Sequence, residues 1–495
     1  MALIPFAEWS PDTPDFASFA REASGVIPEA SGYRPFPALA TTTNALTARA
    51  QGGAWFRRTD GTTAQFAGDA TKLYSLSGVT WSDVSRTVGG AYACGADGNW
   101  RFMQFKTLAL ATNGVDALQK FDLDAGTNWA LCGGSPPVSS FLAGVRNFVV
   151  LGNLASLPQR VQWSPIDNAE GTWGSVATTQ ADYQDLIDGG AITGLTGGEF
   201  GLIFQEAAVR RMTYEGAPTV FRIDKIATEI GATIPNSVAS AGNRSFFCHR
   251  SGFFMVVDGQ QIVPIGNDAQ TGDSKVNRWF WSNVDQGNLW RVSAAVDPVN
   301  ALYVISFPPT GGSGTPTLLL IYNWKVNRWS RAVVTCEMIY SGATQQSYTL
   351  EDLDAFGGGS LDALPYSLDS SYWTGTRNLL LCGFYTDHKW GAFSGSNLEA
   401  TIDTGEGQAT DGRRSTIRSV RPMVDGGTPT VAMGWRNTQT ASVTWDAAKT
   451  ATSNGLCPMF RNSRFFRFRT VVPAASTWTW AQGIADVDAR AGGFR

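Results

Sequence analysis

Side chains able to do chemistry are few and scattered in this 495-residue chain. The only histidines, His249 and His388, lie far apart, and neither has a cysteine or carboxylate at metal-ligand spacing. A Ser-His-Asp triad and a zinc site therefore find no support. The six cysteines, at 94, 132, 248, 336, 382 and 457, form no C-x-x-C pair and sit in or beside apolar runs such as Phe247-Cys248 and Leu381-Cys382. They read as buried free thiols in a reducing compartment. No G-x-x-x-x-G-K-[ST] and no strand-linked G-x-G-x-x-G is present, so neither phosphate-cradling loop is available. Carboxylates are plentiful, yet none falls into a motif that singles out an acid/base pair. The chain is expected to be no enzyme, with no catalytic residue, no cofactor and no metal ligand assigned.

The elements that would position any site are easier to read. The stretch LLLIYNWKVNRWSRAVV, Leu318 to Val334, is an apolar run, a polar turn and a second apolar run opened by Trp329. It predicts a hairpin closed by Tyr322 and Trp329. The aromatic-turn-Trp phrase recurs at Tyr74/Trp81 and Tyr366/Trp373, each seven apart, and at Phe121/Trp129, eight apart; VNRW occurs at both Val276 and Val326. Successive steps from Trp81 to Trp129 to Trp173, and from Trp279 to Trp329 to Trp373, run from 44 to 50 residues. That period, with short strands, predicts propeller blades, each burying its faces against its neighbours. Trp81, Trp129, Trp329 and Trp373 are expected to hold equivalent places. The fold class is all-β, a β-propeller of six to eight blades and best seven, with an added β-rich platform from the chain ends.

Composition agrees with a globular all-β chain: 43% apolar, 16% charged and 54 glycines. The net charge of -4 argues against a generic nucleic-acid binder. No run reaches the length of a membrane-spanning helix, and MALIPFAEWSPD lacks the basic start of a signal peptide.

Residues 1–45 form a Pro-rich arm, expected to belong to the platform, with a short helix from Asp15 to Ala23 placing Phe16 and Phe19 on one face. Residues 46–400 are the propeller body. Within it, Ala181 to Asp188 suggests one or two helical turns, Trp100 to Cys132 two strands with a turn at Asn113-Gly114, and 341–365 a long loop. Residues 401–495 are the platform domain, where twelve Lys and Arg face seven Asp and Glu. Phe460 to Val472 alternates, with Phe466, Phe468 and Thr470 on one face and Arg467 and Arg469 on the other. Trp9, Phe16, Phe19, Arg467 and Arg469 are the expected subunit-interface residues. On this expectation the cationic face meets an acidic neighbour and does not grip DNA.

Several phrases, in order, resemble one known family. They are WSPDTPDF from Trp9, TKLYSLSGVTWSDVS from Thr71, QFKTLALATNGVDALQKFD from Gln104, RVQWSP from Arg160, GGAITGLTGGEFGLIFQ from Gly189, SKVNRWFW from Ser274, SLDSSYWTG from Ser367 and ATIDTGE from Ala400. Together they look like the tail nozzle, or tail hub, proteins of short-tailed bacteriophages, also called packaged-DNA stabilisation proteins. The resemblance spans nearly the whole chain and weakens after residue 430. It implies a propeller body with a platform from both chain ends. It implies a virion protein, made in the bacterial host cytoplasm, whose copies form a homohexameric ring under the portal and adaptor. Such a ring closes the channel after packaging, passes double-stranded DNA at ejection and carries tail fibres or tailspikes outside.

Two other classes stay open. SPIDNAEGTW, Ser164 to Trp173, loosely resembles the Asp-box turn of sialidases, though its Asp167-to-Gly171 spacing is too long. A glycan-binding or sialidase-like propeller predicts an aromatic and arginine cluster at one mouth of a monomer, delivered from separate blades. A kelch-type scaffold predicts a Gly-Gly pair in each blade, which is not seen regularly in this chain.

Overall fold

The hairpin that the sequence marks most clearly forms in the computed structural model of this chain. Strands Leu318–Asn323 and Arg328–Val333 pair antiparallel, with Tyr322 opposite Trp329 and their rings 4.7 Å apart. Polar side chains close the turn: Asn323 Oδ1 accepts from the Lys325 N–H at 3.0 Å, and the Tyr322 hydroxyl donates to Asn327 Oδ1 at 2.8 Å. Asn327 sits at φ 55°, a conformation Asn tolerates better than most residues. Trp329 is fully buried, and its indole lies so close to Gly266 that any side chain there would strike the ring. The structure describes residues 3–14, 18–268, 271–343, 360–364, 380–410 and 412–491.

Seven such antiparallel units of four strands are arranged as blades, six as separate sheets and one as part of a larger sheet. Their inner strands are Gly52–Arg57, Arg101–Phe105, Ser139–Val145, Ile192–Thr196, Ala239–Ala241, Ser293–Asp297 and Met338–Gly342. Neighbouring inner strands pack side by side, and the 3-10 turn Pro235–Ser237 packs against the fourth and sixth of them and against the second strand of the fifth blade. Residues of all seven line one central cavity. The chain is a seven-bladed β-propeller.

Burial changes along each blade. Second strands such as Thr63–Gly68, Gly201–Gln205 and Leu302–Phe307 are buried at every residue, because neighbouring blades cover both faces. They are near-continuous apolar runs and are legible for that reason. Fourth strands lie at the rim and carry polar residues: Asp182–Asp185 is a strand mostly exposed to solvent, not the helical turn expected over 181–188. Likewise 101–131 holds four strands, not two, and Asn113-Gly114 joins the second to the third.

The seventh blade is completed from the other end of the chain. Met338–Gly342, Leu380–Phe384 and Lys389–Asn397 take Pro37–Ala45 as their fourth strand. The division expected at residue 45 therefore leaves a whole blade strand in the arm, and the arm proper ends at Phe36. That arm contributes Ile4–Pro5, Glu22–Ser24, Val26–Glu29 and Gly32–Pro35. Instead of the expected helix to Ala23, residues 18–21 are irregular and Glu22–Ser24 is a strand.

Beside blade six stands a platform of two sheets. The outer strand of that blade pairs parallel with Glu22–Ser24, which pairs in turn with Ala400–Asp403; Phe465–Val472 and Thr430–Arg436 follow. The second sheet runs Val26–Glu29, Gly32–Pro35, Trp478–Ala491, Ser415–Gly426 and Cys457–Ser463, with Ile4–Pro5 also on Trp478–Ala491. One continuous core joins both sheets to blades five and six, through Trp9, Tyr33, Phe253, Tyr303, Trp329 and Trp478. The alternating run 460–472 is thus two strands in different sheets, broken at Arg464.

The tryptophan period is only partly structural. Trp81 and Trp329 lie in fourth strands and Trp129 immediately precedes one. Trp173 lies in a loop and Trp279 in the helix Asn277–Asn283. Trp373, Tyr366 and most of the 341–365 loop lie outside the described residues.

Candidate functional site

Three of the five expected interface residues, Trp9, Arg467 and Arg469, are engaged within their own chain. Trp9 is buried, with its ring edge-on to Trp279 at 5.0 Å. Arg469 makes a bidentate pair with Asp403, at 2.7 and 2.8 Å, which holds the guanidinium above its ordinary pKa. Arg469 and Arg467 both lie over the Trp445 indole, 4.2 and 4.8 Å from its centroid. The acidic neighbour that the sequence led us to seek on another subunit is, for Arg469, on the adjacent strand. Phe466, Phe468 and Thr470 are buried on the opposite face, as the alternation requires. Phe19 is half-buried, and Phe16 lies outside the described residues.

The arm is anchored by Asp12. Its carboxylate accepts from the N–H groups of Arg278 and Trp279, at 2.7 and 2.8 Å, capping the helix Asn277–Asn283 from more than 260 residues away. Burial raises its pKa against the lowering effect of those bonds. The turn Trp9-Ser-Pro-Asp therefore positions a cap as well as an extended strand. Nearby, Glu8 pairs with the buried Lys275, and the Tyr33 hydroxyl donates to the Ala7 carbonyl at 2.7 Å.

Among the described residues, no three His, Cys, Asp or Glu converge as a metal site. His249 Nδ1 meets Ser251 Oγ at 2.7 Å in an exposed turn. His388 Nδ1 meets Glu337 Oε1 at 2.6 Å. All six cysteines are free and buried, and burial raises each thiol pKa.

A cluster that spacing did not reveal lies on the propeller axis. The cavity there, about 330 Å³, is lined by residues of the inner strands and by the segments entering them. Three arginines reach it: Arg49 before the first blade, Arg101 at the start of the second and Arg291 before the sixth. Arg49 and Arg291 lie over the Trp290 ring, 5.1 and 4.7 Å from its centroid. Arg101 lies 4.0 Å over Phe141 and donates to Asn236 Oδ1. Asn99 and Asn236 both donate to the Trp290 carbonyl, at 3.2 and 2.8 Å, tying the cluster together. Among the described residues, Glu337 is the one carboxylate lining this cavity. The arginines are 52 and 190 positions apart, so no motif joins them. Their shared place at the entry to an inner strand is the signal that could have found them.

No protein-family model matches the chain, and no curated protein matches it. Solved structures do. One is the extracellular domain of a hybrid two-component system from B. thetaiotaomicron, at 9% identity and TM-score 0.39, covering 83% of this chain and 47% of that one. This chain thus spans about half that domain's length. Another is the Pan2 WD40 domain of Neurospora crassa, at 7% identity and TM-score 0.34, covering 59% of this chain and 82% of that one. The fold assignment rests on the seven blades themselves. No helix among the described residues is long and apolar enough to cross a membrane.

Proposed function

We propose that this chain is a non-enzymatic structural subunit of a short-tailed phage tail nozzle. Its copies form a closed ring, most simply six, that retains packaged DNA and conducts it at ejection. The observation that carries this reading is the platform. Both ends of the chain build one two-sheet unit on the side of a propeller, the architecture implied by the ordered phrases from Trp9 to Glu406. The portal and adaptor, and tail fibres or tailspikes, would be its partners. The test is the mass of the native assembly, alone and with connector components. A closed ring is expected; a chain that stays monomeric even on the connector overturns the reading.

A second reading is favoured by one observation. Arginines from separate blades, with Trp290 among them, stand at one mouth of the propeller, as a glycan-binding propeller requires. Binding of acidic sugars by a monomer would support it.

A further inference from the structure

The axial cavity carries an excess of positive charge that the chain does not neutralise. Three guanidiniums share it with one carboxylate, Glu337. Glu337 is itself occupied, accepting from the Ala50 N–H at 2.8 Å and facing His388. Arg49 donates to the carbonyls of Ala96 and Ala50, and Arg101 to the carbonyl of Ser140 and to Asn236. These partners are neutral. Arg291 Nε is buried and has no hydrogen-bond acceptor among the described residues. A buried, charged donor without an acceptor is costly to keep, and a charge-assisted bond to an anion would satisfy it.

The electrostatics agree. Burial pulls Arg101 down to about 10, and no carboxylate is among the groups acting against that fall. Burial lowers Arg49, and the like charge of Arg291 lowers it further, against the opposing charges of Glu337 and Asp97. An anion between these groups would restore their ordinary behaviour.

We propose that the propeller mouth binds a small oxyanion, such as a phosphate or the carboxylate of a sugar acid, held by Arg49, Arg101 and Arg291 over Trp290. Planar guanidiniums match the oxygen geometry of both groups. The inner strands wall the cavity on every side, and its volume suits a small molecule and not a duplex. The proposal rests on the cavity alone and is independent of the ring reading; it deepens the glycan reading by naming the group recognised.

The experiment titrates the full-length chain with inorganic phosphate at constant ionic strength, following heat and tryptophan emission. Saturable one-to-one binding is expected. Arg291→Gln, which removes the guanidinium whose Nε has no acceptor among the described residues, should weaken it about tenfold, the value of one charge-assisted bond. Glu337→Gln, which removes the opposing charge, should tighten it. Each variant is first shown by its melting curve to be folded. Absence of saturation, or an affinity unchanged by both substitutions, overturns the proposal. Glucuronate and glucose are titrated in parallel. Glucuronate competing with phosphate identifies the sugar acid as a second source of the same oxyanion. Glucose binding without phosphate binding overturns the proposal while leaving a glycan-binding propeller standing.

Discussion

Asp12 ties the arm to the rest of the chain through two hydrogen bonds to a helix terminus. Replacing a capping carboxylate by alanine costs about 1 kcal/mol. Asp12→Ala should therefore lower the unfolding free energy by that much, read as a lower urea midpoint. Asp12→Asn keeps one of the two acceptor oxygens and has no charge to bury, and burial is the largest influence on this carboxyl, so it should recover part of the loss. Equal losses in the two variants would count against the cap. Glu337 offers a pH test. Burial raises its carboxyl above the ordinary 4.5, opposed by the Ala50 N–H and by the charges of His388 and Arg49. The folded chain thus binds this proton more tightly than the unfolded chain does. The group's contribution to stability is complete below the unfolded value and declines as pH rises through the raised one. Glu337→Gln should flatten that decline in denaturant midpoints taken from pH 4 to 7; an unchanged slope would refute the assignment.

At the scale of elements, the tetrapeptide VNRW marks where sequence reading succeeds and where it stops. From Val326 it forms the hairpin turn and enters a blade strand, because apolar strands flank it on both sides. From Val276 the same letters enter a helix capped by the distant Asp12. Second strands were legible because both faces are buried; polar rim strands such as Asp182–Asp185 were not, since little in them needs burial. The clasp strand Pro37–Ala45 looked like arm because its partner, Lys389–Asn397, lies some 350 residues away. Its Thr43 locates a test. The buried Thr43 hydroxyl accepts from the Trp390 N–H at 3.0 Å and from the Trp81 indole N–H at 3.1 Å, joining blade seven to blade one. Thr43→Val keeps the shape and strands two buried donors. At about 1–3 kcal/mol for each unsatisfied group, it should cost at least about 2 kcal/mol and speed hydrogen exchange along Lys389–Asn397. Thr43→Ser should restore both; a neutral Thr43→Val would show that the seam does not depend on this oxygen.

For the whole molecule, the question is which surface is free to make a ring. Trp9 and Arg469, expected at the interface, are engaged inside the chain. Several cations of the basic C-terminal segment are occupied in the same way: Arg436 pairs with Glu406, Arg461 with Asp446 and Arg421 with Asp486. Phosphate binding scales with the number of cations available, so we expect weak affinity for free duplex DNA, as the proposed conduit would need. A better contact is the platform's outer edge. Cys457–Ser463 ends the second sheet, and Phe460 on it is 79% exposed. An edge strand offers unpaired backbone groups to a neighbour, and a head-to-tail contact between unlike surfaces closes into a ring when its rotation permits. Phe460→Asp should leave the melting temperature near wild type, because the side chain is in solvent, and should convert the ring into monomers by native mass. A wild-type ring that persists unchanged in Phe460→Asp would place the contact elsewhere on the platform. A wild type that stays monomeric on the connector would remove the need for any such contact.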